Sequence, residues 1–123
     1  MDDHVTLVRG GFPERLAPGA SVALGGGLEA RASVLTVPGT QYARTVRLSL
    51  SRPDGAVEDA TLASTGVMRL MDHGPVHASG VRTGPGAYEV KLDIYMAGQW
   101  TILTDVTTPR GSGRLELEVD IFE

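Results

Sequence analysis

The chain contains no cysteine. That excludes disulfides, zinc–thiolate sites and thiol nucleophiles, and leaves the redox compartment open. Aromatic residues make up only 5% of the 123 residues. No apolar run approaches the roughly 18 residues needed to cross a bilayer as a helix. Basic residues are outnumbered, with 11 Lys and Arg against 15 Asp and Glu and a net charge of −4. An acidic balance argues against a nucleic-acid partner, which wants a basic face. The opening Met1-Asp-Asp-His4 lacks the basic and apolar stretches of a secretory leader. This leaves either a cytoplasmic chain or an exported one whose leader or anchor has been removed.

Hydrophobic residues at 41% and charged residues at 21% are ordinary globular usage and exclude wholesale disorder. The length suits one domain, residues 1–123, with a single core. Glycine (16) and proline (7) punctuate short runs without any repeat.

Those runs alternate with period two, the mark of half-buried strands. From Ala87 to Met96, Tyr88, Val90, Leu92, Ile94 and Met96 point one way, and Glu89, Lys91 and Asp93 the other. Leu115, Leu117, Val119 and Ile121 form a second inward series, Val46, Leu48 and Leu50 a third. Trp100, Ile102, Thr104 and Val106 form a fourth, with Trp100 as core anchor. Further strands are expected at 4–9, 21–24, 28–36, 57–63, 66–71, 76–82 and 99–107. Arg52-Pro-Asp-Gly55, Thr83-Gly-Pro-Gly86, Ala97-Gly98 and Pro109-Arg-Gly-Ser-Gly113 supply turns between them. No segment keeps helical periodicity. The fold expected is all-β, an immunoglobulin-like antiparallel sandwich of seven to nine strands, with a small closed barrel as the alternative.

Three of the four methionines and two of the three histidines fall within about 30 residues, from Met68 to Met96. Thioether sulfur and neutral imidazole suit monovalent copper, and neither needs a thiol. If Gly66 to His73 is extended, Met71 and His73 share one face and Met68 lies on the other. Gly74-Pro75 then turns the chain so that His77 can return beside His73. Met96 ends its strand just before Ala97-Gly98. A copper(I) site at one sheet end is therefore expected from Met71, His73, His77 and Met96, with Met68 peripheral. Each of these residues also has a plainer role. Met96 and Met68 can fill core gaps, and a histidine beside Gly-Pro can simply face water.

The segment Gly86-Ala-Tyr88-Glu-Val-Lys-Leu-Asp-Ile-Tyr-Met96-Ala-Gly98-Gln-Trp100 resembles the G-x-Y…M-x-G-x-W signature of the YtkA-like domain, a relative of FixH-like proteins. The likeness covers roughly residues 40–122 and is best over 66–106. It implies an immunoglobulin-type sandwich facing the bacterial periplasm or extracytoplasmic space, often anchored or fused to metal-efflux components. It also implies a Met/His-rich segment before the G-x-Y strand, where Met68, Met71, His73 and His77 stand here. Its functional implication is copper supply or metal tolerance, through exchange with a copper-donating or copper-accepting protein. The alternative is a non-metal interaction or structural module of a membrane-associated complex.

No enzyme is expected. No serine occupies a G-x-S-x-G elbow, and the carboxylates lie on outward strand faces rather than as an apolar pair. Gly25-Gly-Gly27 lacks the Lys-Ser/Thr of a phosphate loop and reads as a bend or bulge. Asp54 and Asp59 lack calcium-loop spacing. His4 reads as an exposed terminal residue.

Overall fold

The computed structural model describes the backbone of residues 4–9, 14–16, 21–25, 27–68 and 74–121. Among these the chain is built of strands with no helix, and two antiparallel sheets pack face to face as an immunoglobulin-like β-sandwich. The strands are β1 (His4–Arg9), β2 (Glu14–Leu16), β3 (Ser21–Gly25), β4 (Leu28–Thr36), β5 (Arg44–Arg52) and β6 (Gly55–Ala56). They continue with β7 (Thr61–Met68), β8 (Val76–Ser79), β9 (Val81–Gly84), β10 (Ala87–Leu92), β11 (Gly98–Thr108) and β12 (Gly111–Ile121). The first sheet runs β2-β1-β12-β11-β7-β8 and the second β3-β4-β5-β10-β9, with β6 paired on β5.

The period-two series name the core. Tyr88, Val90, Leu92, Ile94, Val46, Leu48, Leu50, Trp100, Ile102, Val106, Leu115, Leu117, Val119 and Ile121 are all buried in one cluster. Thr104 continues the β11 series. It lies opposite Ser64 in the ladder, and the two buried hydroxyls bond each other at 2.7 Å. Each satisfies the other's polar group, which burial would otherwise penalise.

Several element bounds differ from the sequence expectation, for physical reasons. The runs expected at 57–63 and 66–71 are partly merged into the continuous β7, because Gly66 is a packing position and not a break. A Cβ there would lie 3.7 Å from the Trp100 ring. The run expected at 76–82 is instead two strands in different sheets, β8 and β9, meeting at Gly80. Gly80 donates its N–H to Leu62 O at 2.8 Å, and a Cβ there would stand 2.7 Å from Leu62 Cβ. The chain passes from sheet to sheet against the core, where a side chain would collide. The expected bend at Gly25-Gly-Gly27 shows as a register shift between Ala23 and Gly25.

Two proline turns clasp one end of the sandwich. Arg52, at the end of β5, donates Nη2 to Thr108 Oγ1 at 2.7 Å, and that hydroxyl donates to Gly111 O at 2.7 Å. Arg110 Nη1 meets Asp54 Oδ2 at 2.9 Å. The Arg110 hydrogen bond holds the Asp54 carboxyl below its ordinary acidity range. A depressed folded-state value contributes stability above the ordinary carboxylate pKa, and that contribution is lost as pH falls through the folded one. The pair is fully solvated, so the expected effect is small. Asp54→Asn is expected to leave neutral stability nearly unchanged and to flatten slightly its decline in acid, read from urea midpoints at stepped pH.

Candidate metal site at one sheet end

The opposite end, where β7 stops and β11 begins, holds the methionines. In the β7–β11 ladder Met68 lies opposite Trp100. Leu62, Ser64 and Gly66 alternate inward along β7, so Met68 takes the inward face and packs half-buried on the core. Its methyl fits because the neighbouring residue is Gly98, where a Cβ would stand 2.7 Å from Met68 Cε. Gly98 also has φ of +145°, a conformation L side chains rarely adopt.

Trp100 is fully buried and donates its indole N–H to Met96 O at 3.1 Å. That bond folds the 93–97 connection back over the indole and leaves Met96 half-buried on the core. Tyr95, 47% exposed, stands edge-on to Trp100, with centroids 5.6 Å apart and planes at 88°. Its hydroxyl donates to Gly74 O at 3.3 Å. Met68 and Gly74, the described residues on either side of 69–73, are thus both held at this rim. Among the described residues the aromatic contact of Trp100 is with Tyr95.

Of the expected ligands, Met68 and Met96 lie at this rim. Met68 lies opposite Trp100 in the ladder, Met96 takes the indole N–H on its carbonyl, and both pack half-buried on the core. Met71 and His73 lie outside the described residues. His77 goes elsewhere. It pairs with Thr65 on β7, and its Nδ1 lies 3.1 Å from Thr65 Oγ1. Val76 and Ala78 pack inward, so His77 and Ser79 face solvent. Neighbours along a strand alternate faces, which puts the His77 imidazole and the Met68 thioether on opposite sides of one sheet. Met68, expected as peripheral, is the more central of the two. Among the described residues no three His, Cys, Asp or Glu side chains cluster as a metal site.

Tyr95 and Gly74 were missed by the sequence reading. The only signal was the adjacency of Tyr95 to Met96 within the same short segment as Trp100. His4 opens β1 with its backbone opposite Asp120. Comparison with protein-family models, with curated proteins and with solved structures gave no match.

Proposed function

We propose that the chain is a non-enzymatic, extracytoplasmic immunoglobulin-like domain that binds monovalent copper at the Trp100 rim and exchanges it with a partner protein. What supports this reading is that Met68 and Met96, far apart in sequence, both lie half-buried at the Trp100 rim, Met68 opposite Trp100 in the ladder and Met96 bonded to its indole through the carbonyl. Met71 and His73 belong to the segment between Met68 and Gly74 and supply the remaining soft donors. His77 is left out because it is bonded to Thr65 on the solvent face. The motif likeness to YtkA-like domains supports the copper chemistry and the extracytoplasmic setting. An incomplete, accessible donor set favours transfer over permanent storage.

The test is a competition titration with a coloured copper(I) chelator. Wild type is expected to take one equivalent. Met68→Leu/Met96→Leu is expected to lose it, and His77→Ala to keep it. Leucine conserves the packing volume at a cost below about 1.5 kcal/mol per site, so the double variant stays folded. Identical curves for wild type and the double variant reject the reading.

A second reading, an interaction module without metal, is favoured by β9. This edge strand of the second sheet exposes Val81 to 66%. Exposed apolar side chains on a strand edge suit pairing with another chain. Copper-independent association that Val81→Lys abolishes would favour it.

A further inference from the structure

The outer face of the second sheet carries a different chemistry. β4 and β5 pair with Arg31 opposite Ser49 and Ser33 opposite Arg47. Ala30, Ala32, Leu48 and Leu50 are buried inward, so these four alternate outward. The two guanidiniums thus take diagonal corners of one cross-strand square and the two hydroxyls the others. Diagonal neighbours on a sheet face are about 7–8 Å apart, within reach of long side chains closing on one group. A depression of about 170 Å³ lies there, lined by Arg31, Ala32, Ser33, Arg47 and Ser49.

The charges of this square are only partly met. Arg31 is exposed and makes no ion pair among the described residues. Arg47 gives Nε to Glu89 Oε2 at 3.2 Å, and its two terminal nitrogens have no partner among the described residues. Lys91, opposite Thr45 on β10, lies on the next diagonal from Arg47. Arg31, Arg47 and Lys91 share this face with Glu29, Glu89 and Asp93, but the square itself holds two arginines and no carboxylate. Two arginines placed diagonally repel each other unless an anion sits between them.

We propose that Arg31, Ser33, Arg47 and Ser49 bind a phosphate monoester. Two guanidinium forks and two hydroxyls offer more donors than one carboxylate accepts. A tetrahedral group with three terminal oxygens and a charge of about −1.5 to −2 matches both the count and the charge. Planar guanidinium binds such oxygens in pairs, which an ammonium cannot do. The site lies on the outward face of the second sheet and shares no residue with the Trp100 rim.

The test is a nitrogen–proton NMR titration of the whole chain with inorganic phosphate at constant ionic strength, with chloride as control. Saturable shifts centred on Arg31–Ser33 and Arg47–Ser49 are expected. Arg31→Gln is expected to weaken binding at least tenfold, and Arg31→Gln/Arg47→Gln to abolish it. Both positions are solvent-facing, so the spectra of the variants should otherwise overlay that of wild type. A linear, unsaturated response, or equal binding by the variants, overturns the proposal. Flotation with phosphatidylcholine vesicles, with or without phosphatidic acid, separates the sources. Flotation that needs phosphatidic acid and both arginines assigns a lipid headgroup. Saturable phosphate binding without flotation assigns a soluble phosphate ester.

Discussion

Trp100→Ala is expected to cost about 3–5 kcal/mol, the range for truncating a buried aromatic side chain. The indole is the largest fully buried side chain among the described residues. It lies over Gly66, stands opposite Met68, meets the edge of Tyr95 and holds the Met96 carbonyl. Truncation would empty the volume between the sheets and release the 93–97 connection together. For a domain of this length the melting point should fall by about 10–20 °C. Trp100→Phe separates the two effects. It keeps most of the packing but leaves the Met96 carbonyl without its donor, at a cost of about 1–3 kcal/mol. Urea denaturation with an unchanged slope measures both. A loss below about 1 kcal/mol for the alanine variant would mean that the core closes over the gap, and Trp100 would no longer count as its anchor.

The same substitution bears on the candidate site. Trp100 holds the Met96 carbonyl through its indole N–H and stands opposite Met68 in the ladder. Copper binding should therefore weaken in Trp100→Ala even under conditions where the chain remains folded, although tryptophan supplies no ligand in the proposal.

The inward face of each long strand could be read directly from its sequence, because alternation over five or more residues admits one assignment. The exceptions share a cause. On β5 the residues Arg44, Val46, Leu48, Leu50 and Arg52 share one parity, and all five are buried. The arginines were passed over because a charged residue normally marks the outward face. Arg44 is nevertheless accepted inside by the Gln41 and Ala43 carbonyls, and Arg52 by the Thr108 hydroxyl. Strict period counting would have found both. Gly80 left no such trace. A chain that changes sheets while staying extended keeps its alternation, and only its packing against Leu62 and Val90 shows the crossing.

The candidate site was legible only in part for the same reason. His77 was expected to return beside His73 through a turn at Gly74-Pro75. Its actual face follows from pairing with Thr65, a partner no local pattern reveals. Met96 extended a clean inward series, and although β10 ends at Leu92, Ile94 is buried and Met96 packs half-buried on the core. The motif that suggested copper is itself explained by packing. Gly98 admits the Met68 methyl and Trp100 fills the core, so this half of the signature describes a sandwich whether or not metal binds.

The other half makes the sharper stability prediction. Gly86→Ala is expected to cost at least about 3 kcal/mol, by adding a steric collision to conformational strain. Gly86 has φ of +68°, and a Cβ there would lie 2.8 Å from Leu50 O and 3.0 Å from Ala56 Cβ. Neither neighbour can yield cheaply. The Leu50 carbonyl accepts the Val57 N–H at 3.1 Å, and Leu50 N–H donates to Gly86 O at 2.8 Å. Val57 O in turn receives the Tyr88 hydroxyl at 2.8 Å, and that hydroxyl accepts the Ala60 N–H at 3.2 Å. The close approach at Gly86 thus draws β5, the 57–60 crossover and the G-x-Y tyrosine into one network. Gly39 provides the control. Its φ of +81° is similar, but nothing lies within 4 Å of a Cβ built there. Gly39→Ala should cost only the conformational part, about 1–2 kcal/mol. The difference between the two variants in urea midpoint, at equal slope, isolates the collision. Equal losses would show that the Gly84–Ala87 turn relaxes freely, and the rigid coupling between the G-x-Y strand and the crossover would have to be abandoned.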